Sequence, residues 1–151
     1  MLPVVPPGFE GDPRRFPYLA YDGGDSASIA MVRPGYFHIF RPGTLGTILP
    51  TASAILVRAG LADLFATVVE SGWRRQEAIV RDPASGTEIR DRYVEIVVAD
   101  EIEPQSLPDD VSGMKLWRFD ANHLFVSPAL MDLTESQFSD VSFSMGFWAF
   151  G

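Results

Sequence analysis

The 151-residue chain contains no cysteine. That absence excludes disulfides, thiolate zinc sites, iron–sulfur clusters and cysteine nucleophiles, and it is compatible with a reducing compartment. Histidine is scarce too: His38 and His123 are the only two, so a histidine-rich metal site is excluded and any general base is one of them or a carboxylate. No apolar run approaches the roughly 18–20 residues that a membrane-spanning helix needs. The N-terminus MLPVVPPGFEG lacks the basic flank and long apolar stretch of a signal peptide, so a cytoplasmic location is expected. A phosphate-binding loop is missing as well, because RPGTLGT (41–47) has the glycines without the following Lys-Ser/Thr.

Positive charge is thin in the C-terminal part. Residues 1–92 carry 10 acids and 10 bases, whereas residues 93–151 carry 10 acids against Lys115 and Arg118, for a net charge of −8. Such a field disfavours phosphate backbones and favours a basic partner, although a solvated face that maintains solubility is the commoner origin of an acidic segment. Neither a nucleic acid nor a membrane is an expected partner. The densest acids, Asp100, Glu101, Glu103, Asp109 and Asp110, fall in the proline-broken connector DEIEPQSLPDD, which makes them the candidate partner-binding residues.

What the chain does have is 46% hydrophobic residues over a length suited to one domain spanning residues 1–151. Pro3, Pro6, Pro7, Pro13 and Pro17 make residues 1–17 an irregular arm, since proline joins neither a helix interior nor a central ladder. YDGGDS (21–26) signals a turn, and SIAMV and YFHIF around RPG read as a hairpin. Ala54, Val57, Leu61, Leu64 and Val68 follow helical spacing, with Phe65 and Val69 widening the stripe and Gly72 placed to end it. A helix over most of residues 58–71 is expected, with AILV (54–57) either its first turn or a buried strand. Two strands flank DPASG, the second presenting Val94, Ile96 and Val98 inward and Tyr93, Glu95 and Val97 outward. KLWRF and HLFV form another pair, Ser127-Pro128 starts a short helix through about residue 135, and VSFSMGFWAF reads as a closing strand. Hairpin signals outnumber β-α-β alternation, so the expected fold is α+β with a mostly antiparallel sheet and two or three helices.

A displacement of 69 residues matches Val57 with Val126, Leu61 with Leu130, Asp63 with Asp132 and Leu64 with Leu133. A duplicated strand-helix-strand unit and convergent apolar patterning both account for these matches, and under either the two aspartates are exposed helix positions. LWRFDANHLFVSPALMDLTESQFSDVSF resembles the closing segment of immunity-protein family eleven of bacterial polymorphic toxin systems: an aromatic-basic strand, a turn, an apolar run ending in Val-Ser, an amphipathic helix and a Val-x-Phe strand. ILVRAGLADLFATVVESGW, then a strand and YVEIVVADEIE, is similar to the family's preceding segment, so the likeness covers about residues 54–145. Two departures are Arg58, where the pattern favours serine, and the lack of a clear glycine before Val141. The resemblance implies a cytoplasmic, antitoxin-like protein that neutralises a cognate toxin by stoichiometric binding. It carries no catalytic residue and no cofactor.

Two other function classes stay open: a small enzyme with a site near Asp120 and His123, and a structural or scaffold module. Asp120, His123 and Ser127 stand in the order of a triad, yet they occupy a single turn and strand in which Ser127 already serves as a helix cap. His38 in YFHIF reads as a half-covered strand position, and DGGD (22–25) as a turn lacking the further oxygen ligands of a calcium loop. Arg74, Arg75, Arg81, Arg90 and Arg92 are interrupted by Glu77, Asp82, Glu88 and Asp91, which makes a mixed exposed face rather than a phosphate grip. Neither a metal nor a cofactor is expected, and the oligomeric state is not set by these features.

Overall fold

The computed structural model describes residues 17–22, 25–103 and 107–145. The expected N-terminal arm, apart from Pro17, therefore lies outside the described residues, as do Gly23, Gly24 and the chain after Met145. In chain order the elements are β1 (Tyr18–Asp22), β2 (Ser28–Arg33), β3 (Tyr36–Arg41), β4 (Ile48–Pro50), β5 (Ile55–Arg58), α1 (Ala59–Val68), β6 (Trp73–Glu77), β7 (Ile79–Asp82), β8 (Thr87–Ile89), β9 (Tyr93–Val98), β10 (Leu116–Phe119), β11 (His123–Val126), α2 (Pro128–Gln137) and β12 (Val141–Met145). They form three four-stranded sheets, ordered β2-β3-β7-β8, β4-β5-β9-β6 and β10-β11-β1-β12. Every pairing is antiparallel except β3 with β7. The α+β, sheet-dominated class read from the sequence is the observed one.

Local chemistry explains the turns. Gly35, at φ +82°, follows Pro34 between β2 and β3, the residue order that a type II turn asks for. Between β7 and β8 the Asp82 carboxylate accepts from the Ala84 amide at 3.0 Å, and Gly86 takes φ +74°. The second strand expected after DPASG is in fact two, β8 and β9, in different sheets. Asp91 separates them at φ 60°, a left-handed conformation that aspartate tolerates better than most residues.

The first helix is shorter than expected. Ile55–Arg58 is strand β5, and α1 runs only from Ala59 to Val68. The AILV run is continuous because β5 is covered on both faces: Ile55 and Val57 enter one core and Leu56 another. The helix closes where the Val69 amide donates to Phe65 O at 2.7 Å, so Gly72, at φ +84°, belongs to the turn into β6 and not to the helix end. Its buried face is Leu61, Ala62 and Phe65. Leu64 and Val68, expected in the core with Leu61, are only partly buried at its edge.

The layers follow from strand alternation. A central core lies between the β4-β5-β9-β6 and β10-β11-β1-β12 sheets and takes in both helices: Ile96 and Val98 meet Leu61 and Phe65 from one side, and Tyr18, Leu124 and Val126 meet Leu130 and Met131 from the other. The opposite face of the first of these sheets, through Leu49, Leu56 and Tyr93, packs on Phe37 and Val80 of the β2-β3-β7-β8 sheet. The opposite face of the second, through Leu19, Trp117 and Phe125, is covered by Ile102 with Leu107 and Val111.

The 69-residue displacement is structural. The ten residues of α2 lie 69 positions after the ten of α1, and both helices close with the same bond, Val69 N to Phe65 O and Phe138 N to Thr134 O. Hairpin, helix and strand recur as β4-β5-α1-β6 and β10-β11-α2-β12, with bounds agreeing to within a residue or two. In both sheets the strand lodged between the hairpin and the final strand is antiparallel to both neighbours, and in both it comes from the other half: β9 sits between β5 and β6, and β1 between β11 and β12. Each half completes the other's sheet.

Candidate functional site

The acidic connector is a strap and not a loose loop. The Ile102 amide donates to Arg118 O at 2.8 Å and the Arg118 amide to Asp100 O at 2.9 Å, which extends the β10 edge by a bridge. Its apolar residues point down: Ile102 is buried, and Leu107 and Val111 pack with it on Trp117, Phe119 and Phe125. The acids alternate with these anchors, so Asp100, Glu101, Glu103, Asp109 and Asp110 are all exposed. The sequence reading took this stretch for an exposed connector; its carboxylates are exposed, but its apolar positions are core.

Partners divide the five acids. Glu101 pairs with Arg118 at 2.7 Å, and the same guanidinium also donates to Val98 O and Asp120 O. Asp110 accepts from the Ser112 hydroxyl at 2.6 Å and the Ser112 amide at 2.9 Å, and pairs with Lys115 at 3.1 Å. Those Ser112 hydrogen bonds, helped by Lys115, lower its carboxyl to about 2. Asp100, Glu103 and Asp109 have neither a hydrogen bond nor an ion pair with another described residue. Lys115 and Arg118, the only bases after residue 92, are thus engaged by two of the five acids.

Two hollows border the strap. One, of about 400 Å³, brings Asp100 together with Glu70, Ser71 and Lys115 over Leu116 and Trp117. The other, of about 520 Å³, has Asp109, Asp110 and Asp132 around Val111, Pro128 and Ala129. Sequence reasoning treated Asp132 as a bare helix position equivalent to Asp63, and did not place it beside the strap. The two aspartates differ in surroundings: Asp63 pairs with Arg75, the third residue of β6, at 2.7 Å, and the third residue of β12 is Phe143. That substitution of phenylalanine for arginine is the signal that marks Asp132.

The structure does not assemble the other constellation. Asp120 sits at φ 52° in the turn between β10 and β11. His123 opens β11, with its ring 5.8 Å from that of Phe119, and Ser127 follows the far end of the strand. Four extended residues separate His123 from Ser127 by roughly 13 Å, which is beyond hydrogen-bond reach. Nor does the Ser127 side chain cap α2. It accepts from the Lys115 amide at 3.0 Å and donates to Gly113 O at 2.7 Å, pinning the end of the strap to the helix start. At the equivalent position before α1, Arg58 does the same for the approach to β4, donating to Leu45 O at 2.7 Å and Gly46 O at 3.3 Å.

His38 is half-buried on β3, beside Ala30 of β2 and Arg81 of β7. Among the described residues no three or more His, Asp or Glu side chains come together as a metal site, and no helix is long and apolar enough to cross a membrane. No family model, curated protein or solved structure matches the chain.

Proposed function

We propose that this protein is an immunity-type antitoxin, which neutralises a cognate bacterial toxin domain in the cytoplasm of the producing cell by forming a stoichiometric complex. The observation that carries the reading is the strap: Ile102, Leu107 and Val111 seat it on the sheet, so its carboxylates are held outward, and three of them are left without a partner among the described residues. A fixed row of uncompensated acids is pre-organised to meet a basic surface, because little ordering entropy remains to be lost on binding. Its field also accelerates encounter. The likeness of residues 54–145 to the immunity family supports the same reading.

The test is stopped-flow association with the toxin encoded beside this gene, across salt concentrations. A variant with Asp100, Glu101, Glu103, Asp109 and Asp110 changed to Asn or Gln is expected to associate about tenfold more slowly at low salt, with dissociation changed less. The wild-type rate should fall as salt shortens the Debye length to about 8 Å at physiological ionic strength, and the variant's should fall less steeply. Identical rates and salt slopes would remove the strap from the interface, and a neighbouring gene with no toxin domain would count against the immunity class.

A further inference from the structure

The outward face of the β2-β3-β7-β8 sheet is built to be touched. Its two most exposed apolar residues are Phe40, at 69%, and Val32, at 57%. Both are the residues skipped by the β2-β3 register: Arg41 pairs with Ser28 and Ile39 with Ile29, leaving Phe40 unopposed, and Phe37 pairs with Met31 and Tyr36 with Arg33, leaving Val32 unopposed. A bulge re-aims the side chain it carries, and here two bulges lift apolar groups from one hairpin into solvent. Around them lie exposed Arg33, stacked 4.0 Å over the Tyr36 ring, with Arg41 and Arg81. The acid nearest in the register, Glu88 opposite Arg81, is held by Arg90 at 2.7 Å.

An apolar knob with a cationic rim calls for an apolar socket with an anionic rim, and the chain has one. The 520 Å³ hollow has Val111, Pro128 and Ala129 within a rim of Asp109, Asp110 and Asp132. It borders the strap, whereas the knob lies on the sheet packed against the other side of the fold, so one molecule presents both halves of the contact on different surfaces. We propose that the Phe40–Val32 face of one copy docks into the Asp109–Asp132 hollow of a second copy, giving head-to-tail self-association. Phosphate backbones are disfavoured as the occupant by the overall charge of −8. The contact is heterologous, since each copy uses one surface as donor and another as acceptor. It stands independently of the immunity reading, and its test uses this protein alone.

Sedimentation equilibrium over a range of protein and salt concentrations reads it out. At low salt the wild-type mass should rise with concentration above the 16.6 kDa monomer, and fall back as salt screens the rims. Phe40→Glu spoils only the knob and Asp132→Lys only the socket; both positions are exposed, so both variants should fold, and each alone should be monomeric. Mixed together, they should form dimers and nothing larger, because Asp132→Lys retains a knob and Phe40→Glu a socket. A wild type that stays at 16.6 kDa throughout, an Asp132→Lys that associates like wild type, or a mixture that stays monomeric would each overturn the proposal. Dichroism spectra of the two variants matching wild type would exclude misfolding as the cause of monomerisation.

Discussion

Tyr93 shows how a single side chain joins two layers. It is buried, its hydroxyl donates to Gly46 O at 2.7 Å, and two guanidiniums, Arg58 and Arg92, lie 5.9 and 5.8 Å from its ring. Burial raises its phenol above 10.0 against the opposing pull of those arginines. Folding therefore holds the proton that the unfolded chain gives up, so this contribution is intact below pH 10 and is lost as pH rises beyond it. Tyr93→Phe should cost about 1 kcal/mol at pH 7 and should flatten the alkaline fall of the urea midpoint; an unchanged alkaline slope would show that other groups govern it. Glu95 is the opposite case of an acid better off neutral. Desolvation against the neighbouring layer raises its carboxyl above 4.5, with Arg74 only partly compensating. The unfolded chain gains by ionising it first, so Glu95 costs stability once pH exceeds about 4.5. Glu95→Gln should have a higher urea midpoint than wild type at pH 7 and the same midpoint at pH 4. A variant no more stable at pH 7 would mean that the arginine outweighs the desolvation.

At the scale of elements, what was legible followed from pattern strength. The β2-β3 hairpin, the β10-β11 pair and the start of α2 were plain from Pro34-Gly35, from the turn at residues 120–122 and from Ser127-Pro128. The strands β1, β4 and β6 were not: Ile48–Pro50 is too short to show a period, and Trp73–Glu77 is an edge strand rich in charge. Helix α1 was legible in kind but its inward side was misjudged, because both Leu64 and Phe65 fit a 3–4 spacing and only the sheet packed against it selects Phe65. That correction has a thermodynamic consequence. Leu61, at 0% exposure, should lose about 2–5 kcal/mol on truncation to alanine, and Leu64→Ala distinctly less, since part of its surface already faces water. Equal losses in denaturant melts would restore Leu64 to the core. The acids of the candidate site were all visible in the sequence. Their anchoring was not, because Ile102, Leu107 and Val111 are spaced irregularly along a proline-broken segment and acquire meaning only from Trp117 and Phe125 beneath them.

At the scale of the whole molecule, the reciprocal strand exchange sets how the chain holds together. No local signal announces it, since the pairing of β9 with β5 and β6, or of β1 with β11 and β12, is long-range. Each half, taken alone, lacks the strand that separates its hairpin from its last strand, and so leaves two ladders unpaired and one face of its helix uncovered. Residues 1–90 keep β1 but lose β9, and residues 91–151 keep β9 but lose β1. The cut falls in the exposed Arg90–Arg92 turn, where only the bend between β8 and β9 is broken. Each fragment should therefore be largely unfolded by itself, and an equimolar mixture should refold by mutual strand donation, recovering most of the far-ultraviolet dichroism and a cooperative melt. The exchanged strands bring Tyr18, Ile96 and Val98 into the shared core, and fully burying such side chains contributes roughly 1.5–3 kcal/mol each, enough to drive assembly at micromolar concentration. A fragment that folds cooperatively on its own would mean that its sheet closes without the borrowed strand, and that the two halves are neighbours and not mutual donors.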